Sequence, residues 1–315
     1  MKIKATIERL PGGLMMVPLA CGALLATIAP HAGAFFGSFT NALFTGALPL
    51  LSAFYVCIGA SISIASLPAV VKRGGALLAT KVTLGVLCGL TLGHFLGAQP
   101  VATGWFAGLS TLAVVAAIND TNGGLYMALM RQYGTAEDAA AYAGMALESG
   151  PFFTMLTLGV AGLSSFPWQT LLGAILPLFV GMLLGNLDPE LRAFFGQGAP
   201  VMIPFFGFAI GATLDLRQIW AAGLLGLLLG IATLLLSAVA LVGVDKLIGG
   251  SGTAGIAAAT TAGNAAAVPM LVAVANPSYA AAAKPATVLV AACVIVSSPL
   301  TPLLTAWWCS RQSRR

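Results

Sequence analysis

The chain has 315 residues, of which 59% are hydrophobic and 7% are charged, and its mean hydropathy is +0.98. Soluble domains carry about 25% charged residues, so this composition excludes a soluble globular protein and indicates a polytopic membrane protein. The net charge of +5 does not indicate a nucleic-acid partner, because the basic residues fall mostly in alternate loops and report membrane topology.

Apolar segments follow one another along the whole chain. A membrane helix needs about 20 residues, so ten spans with short loops fill the sequence and leave no room for a separate soluble domain. The basic start and the apolar run after it have the pattern of a signal peptide, but the internal repeat described below favours a retained first helix. The predicted spans cover residues 14–29, 42–64, 74–96, 101–130, 140–163, 168–186, 200–214, 219–244, 252–275 and 285–308.

Basic residues are distributed unevenly over the loops between these spans. With a cytoplasmic N-terminus, the outside segments hold only Arg217 and Lys284, and this asymmetry fixes the orientation by the positive-inside rule. An even number of spans then places both termini in the cytoplasm. The inside segments hold Lys2, Lys4, Arg9, Lys72, Arg73, Arg131, Arg192, Lys246, Arg311, Arg314 and Arg315.

The two halves of the chain repeat several short motifs in the same order. Each match is weak alone, but five spans per half would insert the second half with the opposite orientation. The sequence therefore predicts an all-α inverted repeat of residues 1–163 and 164–315, an arrangement found in many secondary transporters. The motifs pair Val17-Pro18-Leu19 with Leu176-Pro177-Leu178, Ile58-Gly59-Ala60-Ser61 with Ile210-Gly211-Ala212-Thr213, Ser149 and Pro151 with Ser297 and Pro299, and Thr121-Asn122 with Gly263-Asn264.

Spans four and nine each carry a polar interruption at matching places. Span four contains Asn119-Asp120-Thr121-Asn122-Gly123-Gly124, and span nine contains Thr260-Thr261-Ala262-Gly263-Asn264 with Pro269 soon after. Unpaired backbone groups are costly in hydrocarbon, so these interruptions favour a solute site where two discontinuous helices meet. Packing of small residues between helices is the alternative role of Gly263 and its neighbouring alanines. The candidate substrate-binding residues are Asn119, Thr121, Asn122, Gly123, Gly124, Ser149, Thr260, Thr261 and Asn264.

These candidate residues also indicate which solutes fit. Amides and hydroxyls both donate and accept hydrogen bonds, which suits a polyhydroxylated solute. No Lys or Arg is expected at mid-depth, since Lys81 is predicted to lie near the cytoplasmic end of span three and to extend its amine to the surface. An anionic group would therefore be met by amide and hydroxyl donors and by the helix N-termini that follow Asn122 and Asn264.

Asp120 and Glu148 are the ionisable residues placed deepest within the spans. A carboxyl group removed from water favours its neutral form, so both residues are candidate proton carriers for ion coupling. With nearby hydroxyls and carbonyls they are equally candidate Na⁺ ligands, and the sequence does not separate these two interpretations. Asp215 lies at a span end close to Arg217 and is interpreted as hydrated.

The stretch Asn119-Asp120-Thr121-Asn122-Gly123-Gly124-Leu125-Tyr126, followed by Glu148-Ser149-Gly150-Pro151-Phe152, resembles the 2-keto-3-deoxygluconate permeases of bacteria. The similarity extends from Ile7-Glu8-Arg9-Leu10-Pro11-Gly12-Gly13 to the last span, so it covers nearly the whole chain. It implies import of 2-keto-3-deoxygluconate, a six-carbon sugar acid from pectin breakdown, together with H⁺ across the inner membrane. By relation to the bile-acid sodium symporter fold, it also implies ten helices in a panel domain and a core domain, with two broken helices crossing in the core.

The leading hypothesis is a secondary active transporter that moves a core bundle against a panel of spans one, two, six and seven. Its predicted partners are a sugar-acid anion, a co-transported proton or sodium ion, and the lipid bilayer, and no cofactor, metal or nucleic acid is predicted. A sodium-coupled symporter of another organic anion or sugar acid is the alternative. An intramembrane enzyme or a channel fits less well, because the chain has two His and no His-Glu-x-x-His spacing, and paired interruptions suit alternating access.

Overall fold

In the computed structural model, the protein is described for residues 2–7, 13–64, 71–213 and 223–312, and these residues contain helices and turns but no strand. The first half contains α1 (Ile3–Ile7), α2 (Gly13–Ile28), α3 (Ala32–Phe36), α4 (Ser38–Thr45), α5 (Ala47–Ser61), α6 (Ala76–Leu96), α7 (Thr111–Ile118), α8 (Gly123–Tyr133), α9 (Ala136–Ala140), α10 (Tyr142–Met145) and α11 (Phe152–Val160). The second half contains α12 (Trp168–Leu187), α13 (Pro189–Gly211), α14 (Gly223–Leu247), α15 (Thr253–Ala258), α16 (Val268–Ala275) and α17 (Ala280–Gln312).

Several of these helices have the length and hydropathy of membrane spans. Within the described residues, six stretches are long and apolar enough to cross a membrane, and α4 and α5 are so when taken together, with a bend of 66° at their break. The chain is therefore a multi-pass membrane protein, as its composition predicts. The total of ten spans stays a prediction. The six stretches are Lys72–Leu96, Trp168–Leu187, Pro189–Gly211, Gly223–Leu247, Thr253–Ala275 and Pro277–Gln312.

The predicted start of span four is wrong. Residues 101–110 are apolar but form turns instead of helix. Gly104 and Gly108 have φ of +86° and +87°, a left-handed conformation that glycine adopts without steric cost. The helix begins only after Ser110, whose Oγ accepts a hydrogen bond from Ala113 N at 3.3 Å. The cap and the two glycines thus account for the turn conformation of this segment, although its composition is apolar.

Predicted span five, residues 140–163, contains a break in its helix. Helical turns end at Glu148, residues 149–151 are not helical, and α11 restarts at Phe152. Gly150, in the middle of the gap, has φ of +112°. The glycine and the following proline place a chain break next to the Glu148 carboxyl group.

Span seven begins earlier than predicted. Its helix starts at Pro189, not near residue 200. Asp188 caps the helix by accepting a hydrogen bond from Glu190 N at 2.8 Å, and proline is favoured at the first helical position because no N–H donor is needed there. Pro200 then lies inside the helix.

Some predictions concern residues outside the described ranges. These are the hydrated Asp215 beside Arg217, the first residues of span eight, and the basic residues Arg9, Arg314 and Arg315.

The helices pack in two groups. In the first, α5 packs against α12 and α13, and α2 packs against α13. In the second, α17 packs against α14, α16 and α7, and α6 packs against α7, α11 and α14. The first group corresponds to predicted spans one, two, six and seven.

Several glycines bring the helices of the first group into backbone contact, and two of them occupy matching positions of the internal repeat. A Cβ atom on Gly59 would lie 2.0 Å from the carbonyl oxygen of Leu178, and a Cβ on Gly211 would lie 2.0 Å from that of Leu19. Both pairs therefore require glycine, because no larger residue fits so close to a carbonyl group. The internal repeat aligns Gly59 with Gly211 and Leu178 with Leu19, so the two contacts correspond to one another.

We expect Gly59→Ala to lower the thermal unfolding midpoint of the detergent-solubilised protein by several degrees. The new methyl group forces α5 away from α12, and such overpacking costs about 1–3 kcal/mol. Gly173→Ala in α12 is the matched control, since a Cβ there meets nothing within 4 Å and alanine favours helix more than glycine does. Equal midpoints for the two variants would contradict the close packing of α5 on α12.

Candidate functional site

Two non-helical stretches lie within the second group of helices. Residues 119–122 separate α7 from α8, and residues 259–262 separate α15 from the 3₁₀ turn Gly263–Ala267. Asn122 caps α8, because its Oδ1 accepts a hydrogen bond from Leu125 N at 3.1 Å. The helix interruptions therefore fall on the polar residues that the sequence singles out.

The two stretches are held together by hydrogen bonds from both sides. Polar backbone groups in a break of a helix have no partner within that helix. Here backbone and side-chain groups on each side supply hydrogen-bond partners for the other. Five such bonds join Ala262 N to Asp120 O (3.1 Å), Asn122 N to Thr260 Oγ1 (2.9 Å), Thr121 Oγ1 to Ala258 O (3.2 Å), Thr261 Oγ1 to Ala117 O (2.8 Å) and Asn264 Nδ2 to Asp120 Oδ2 (2.8 Å).

The two predicted ion-coupling residues lie beside these stretches. Asp120 and Glu148 are each 2% exposed. Glu148 Oε1 accepts a hydrogen bond from Thr121 N at 2.6 Å, while Asp120 binds the amide of Asn264. Both carboxyl groups are thus buried next to Thr121, since Asp120 precedes it in the chain and Glu148 accepts from its N–H. Over the described residues, no group of three His, Cys, Asp or Glu is placed to hold a metal ion.

Lys81 does not reach the surface, so the prediction for this residue is wrong. The side chain is fully buried, at 0% exposure. Its Nζ donates to Thr121 Oγ1 at 2.8 Å and to Thr260 O at 3.1 Å, one acceptor from each stretch. A buried ammonium is tolerated only where such acceptors and opposite charges surround it.

A signal for Lys81 was present in the sequence. It is the only Lys or Arg between Arg73 and Arg131. If the membrane helix begins at Lys72, Lys81 lies nine residues further on, which is about 13.5 Å along the axis and close to the middle of a hydrocarbon layer of about 30 Å. Two carboxyl groups at that depth indicate a need for a cation.

A cavity of about 840 Å³ lies between the two groups of helices. Its volume falls within the usual range for small-molecule sites. From the predicted site, Thr121, Asn122, Gly123, Gly124, Ser149 and Asn264 line this cavity. Asp120 and Glu148 are not in its wall, but each comes directly before a wall residue in the chain, namely Thr121 and Ser149.

Three predicted substrate-binding residues do not line the cavity. Thr260 and Thr261 use their hydroxyl groups to join the two stretches, as described above. Asn119 donates from Nδ2 to Thr157 Oγ1 at 3.1 Å, and its side chain packs over Gly85. These positions hold the stretches in place and present no side chain to the cavity.

Sequence reasoning missed several residues of the cavity wall. Ser298 lines the cavity, is 2% exposed, and its Oγ has no hydrogen-bond partner within the described part of the chain. Its signal was the match of Ser297 and Pro299 with Ser149 and Pro151. Tyr142 also lines the cavity, and a Cβ on Gly123 would lie 1.8 Å from the Tyr142 hydroxyl oxygen.

The first group of helices supplies the opposite, apolar wall. It includes Met15 from α2, Phe54 from α5 and Ile203 and Phe206 from α13. Polar groups are therefore concentrated on one wall, where α8 begins. An α-helix leaves the first N–H groups without an internal acceptor, and at α8 these belong to Gly123 and Gly124, which face the cavity. This end of the cavity suits an anionic group.

Known proteins resemble this chain over nearly its whole length. The sequence model of the 2-keto-3-deoxygluconate permeases matches residues 4–314. The chain belongs to the 2-keto-3-deoxygluconate permease family. A permease of that name from Enterobacter sp. (strain 638) is 49% identical over 312 residues, covering 99% of this chain and 94% of its own. Permeases of the same name from Escherichia coli O7:K1 (strain IAI39 / ExPEC) and Escherichia coli (strain K12 / DH10B) are 49% identical over 316 residues, covering 100% of this chain and 97% of theirs.

Membership of this permease family decides the class of function. The protein is a transporter and not an enzyme. The burial of Asp120 and Glu148 beside the cavity therefore requires an explanation in terms of transport.

Proposed function

We propose that this permease imports 2-keto-3-deoxygluconate across the bacterial inner membrane by proton symport and alternating access. One observation carries the proposal, namely a cavity with a polar wall and two buried carboxyl groups, Asp120 and Glu148, next to residues of that wall. The polar wall contains Thr121, Asn122, Ser149, Asn264 and Ser298. The name shared by the relatives supplies the substrate. A sugar acid matches the wall, since it carries one carboxylate and several groups that donate and accept hydrogen bonds.

The substrate carboxylate is assigned to the start of α8. Gly123 and Gly124 present backbone N–H groups there, and the helix dipole favours a negative charge. Among the described residues, no Lys or Arg lies in the cavity wall. Neutral donors and a helix end hold an anion without an ion pair that would have to be broken for release. The hydroxyl and keto groups of the sugar acid pair with Asn264 and with Ser149 and Ser298 on the same wall.

Asn264 connects the substrate to the coupling ion. It lines the cavity, and its Nδ2 donates to Asp120 Oδ2 at 2.8 Å. Protonation turns that carboxylate oxygen from an acceptor into a hydroxyl, which changes the hydrogen bonds available to Asn264. Substrate binding and protonation of Asp120 therefore influence one another, as symport requires. A proton bound with a monoanion also leaves the net charge of the loaded carrier unchanged.

An inverted repeat of ten spans, with a panel and a core, is the proposed architecture. The contacts of Gly59 with Leu178 and of Gly211 with Leu19 support it, because the repeat exchanges one pair for the other. The hydrogen bond from Ala262 N to Asp120 O supports it too, since the motif alignment pairs these two positions. The first group of helices forms the panel and the second the core, with α7–α8 and α15–α16 as the broken crossing helices.

The orientation of the cavity supports an inward-facing state. The cavity reaches Leu14 at the start of α2, Ala128 in the middle of α8, and Pro302 in the second half of α17. With both termini in the cytoplasm, all three positions lie in the cytoplasmic half of the membrane. Alternating access then requires the core to move against the panel until Thr121 and Asn264 face the opposite side.

Uptake of labelled 2-keto-3-deoxygluconate into proteoliposomes tests this function. An inward pH gradient and an inward Na⁺ gradient are imposed in separate experiments. We expect accumulation with the pH gradient alone. An inward gradient of one pH unit supplies about 1.4 kcal/mol per proton, enough for about tenfold accumulation. Accumulation with Na⁺ alone would overturn proton symport, and no uptake under either gradient would overturn the substrate assignment.

A further inference from the structure

The side chain of Lys81 lies between the two non-helical stretches of the core and contacts both. Its Nζ is bound by a hydroxyl from one stretch, Thr121 Oγ1, and by a main-chain carbonyl from the other, Thr260 O. Thr121 in turn donates through Oγ1 to the carbonyl of Ala258, and its N–H binds Glu148. Unwound carbonyls, hydroxyls and carboxylates of this kind are the groups that hold alkali cations in broken-helix transporters.

The charges around Lys81 define what else the site can hold. Asp120 and Glu148 are the buried carboxyl groups near it. The phenol of Tyr142 lies near both carboxyl groups, and that of Tyr55 lies near Asp120. With neutral phenols, one ammonium and two carboxylates give a formal charge of −1. A single proton brings the cluster to zero. A metal ion at the position between Thr121 Oγ1 and Thr260 O would have to displace the ammonium from these oxygen partners.

We propose that the Lys81 ammonium is a tethered cation, which occupies the place of a coupling Na⁺ between the two stretches and so excludes Na⁺ from the core. The inference rests on the proposed proton symport and gives it a structural cause. The ammonium has the charge of Na⁺ and binds the same oxygen groups. Because it is covalently attached, it cannot leave with the substrate, and a proton on the carboxyl pair remains as the ion that can be transported.

Removing the ammonium should create a sodium site. In Lys81→Ala the oxygen groups of Thr121 and Thr260 and the two carboxylates remain, while the amine and its chain are gone. We expect the unfolding midpoint of the purified variant to rise by several degrees as NaCl replaces choline chloride at constant ionic strength, since a ligand that binds only the folded state stabilises it. The wild-type midpoint should not respond to this exchange.

Two control variants accompany this measurement. Lys284→Ala removes an exposed lysine and should behave like the wild type. Lys81→Met also removes the charge but fills the space with an apolar chain, and it should show no sodium response. A Lys81→Ala protein that is indifferent to Na⁺, or a wild type that is stabilised by Na⁺, would overturn the proposal.

Wild-type uptake keeps the proposal testable if Lys81→Ala does not fold. Proton-driven uptake should be equal in sodium and choline media, and stimulation of uptake by Na⁺ would overturn the proposal that Lys81 is a tethered cation.

The transport proposal and the Lys81 proposal also fail in different ways. Proton-driven uptake by the wild type with no sodium response in folded Lys81→Ala rejects only the role of Lys81. Absence of wild-type uptake under any gradient rejects the transport proposal, and the sodium response of Lys81→Ala is still decided by its own measurement.

Discussion

Asp120→Asn is expected to abolish pH-driven accumulation of 2-keto-3-deoxygluconate and to leave exchange of substrate across the membrane in place. Asparagine keeps the size of the side chain and still offers an oxygen to the Nδ2 of Asn264. The backbone carbonyl of residue 120 still accepts from Ala262 N. What is lost is the ability to take up and release a proton. The variant resembles the protonated carrier, which is the form proposed to move with substrate.

The measurement compares net uptake with counterflow in the same proteoliposomes. Under an inward gradient of one pH unit, the wild type can reach about tenfold accumulation, whereas Asp120→Asn should stop at equal concentrations. Asp188→Asn is the matched control, because Asp188 caps α13 at the surface and asparagine caps equally well. Accumulation by Asp120→Asn at the wild-type level would remove Asp120 from the coupling role and leave Glu148 to be tested by Glu148→Gln.

Helix positions were predictable where hydropathy alone decides them. The predicted span over residues 168–186 coincides with α12 within one residue at its end. Prediction failed at residues 101–110, where the composition is apolar but two glycines with positive φ form a turn. Hydropathy reports the environment of a segment, and backbone conformation there depends on caps and glycines. The cap at Asp188 with Pro189 was a readable signal for the early start of α13.

The sequence indicated which residues lie near the candidate site, but not which of their side chains face the cavity. The amides and carboxyls of spans four, five and nine do come together around Thr121. Helical periodicity indicates which residues share a face, but it is lost where the helices are interrupted. For that reason, Thr260 and Thr261 could not be distinguished from Asn264 in the sequence, although they hold the stretches together and Asn264 faces the cavity. Lys81 was missed because its partners come from distant segments.

Asn122→Asp should reduce the affinity for 2-keto-3-deoxygluconate at least about tenfold without destabilising the protein. Asn122 lines the cavity and caps α8 through Oδ1, which binds Leu125 N. Aspartate is an equally good cap and favours the helix dipole, so α8 should remain intact. Its negative charge, however, lies where the substrate carboxylate is assigned, beside the N–H groups of Gly123 and Gly124. Like charges a few ångströms apart in a partly buried site repel by more than the about 1.4 kcal/mol of a tenfold change.

Thermal shift with added 2-keto-3-deoxygluconate measures this effect apart from transport. The wild-type midpoint should rise with ligand concentration. In Asn122→Asp the same rise should need at least about tenfold more ligand, while the midpoint without ligand is unchanged. Asn276→Asp serves as the control, because Asn276 caps the 3₁₀ turn Pro277–Tyr279 away from the cavity wall. An undiminished ligand shift in Asn122→Asp would mean that the carboxylate does not bind at the start of α8. The anion would then have to be held elsewhere on the polar wall, with the α8 N-terminus serving only to end the non-helical stretch.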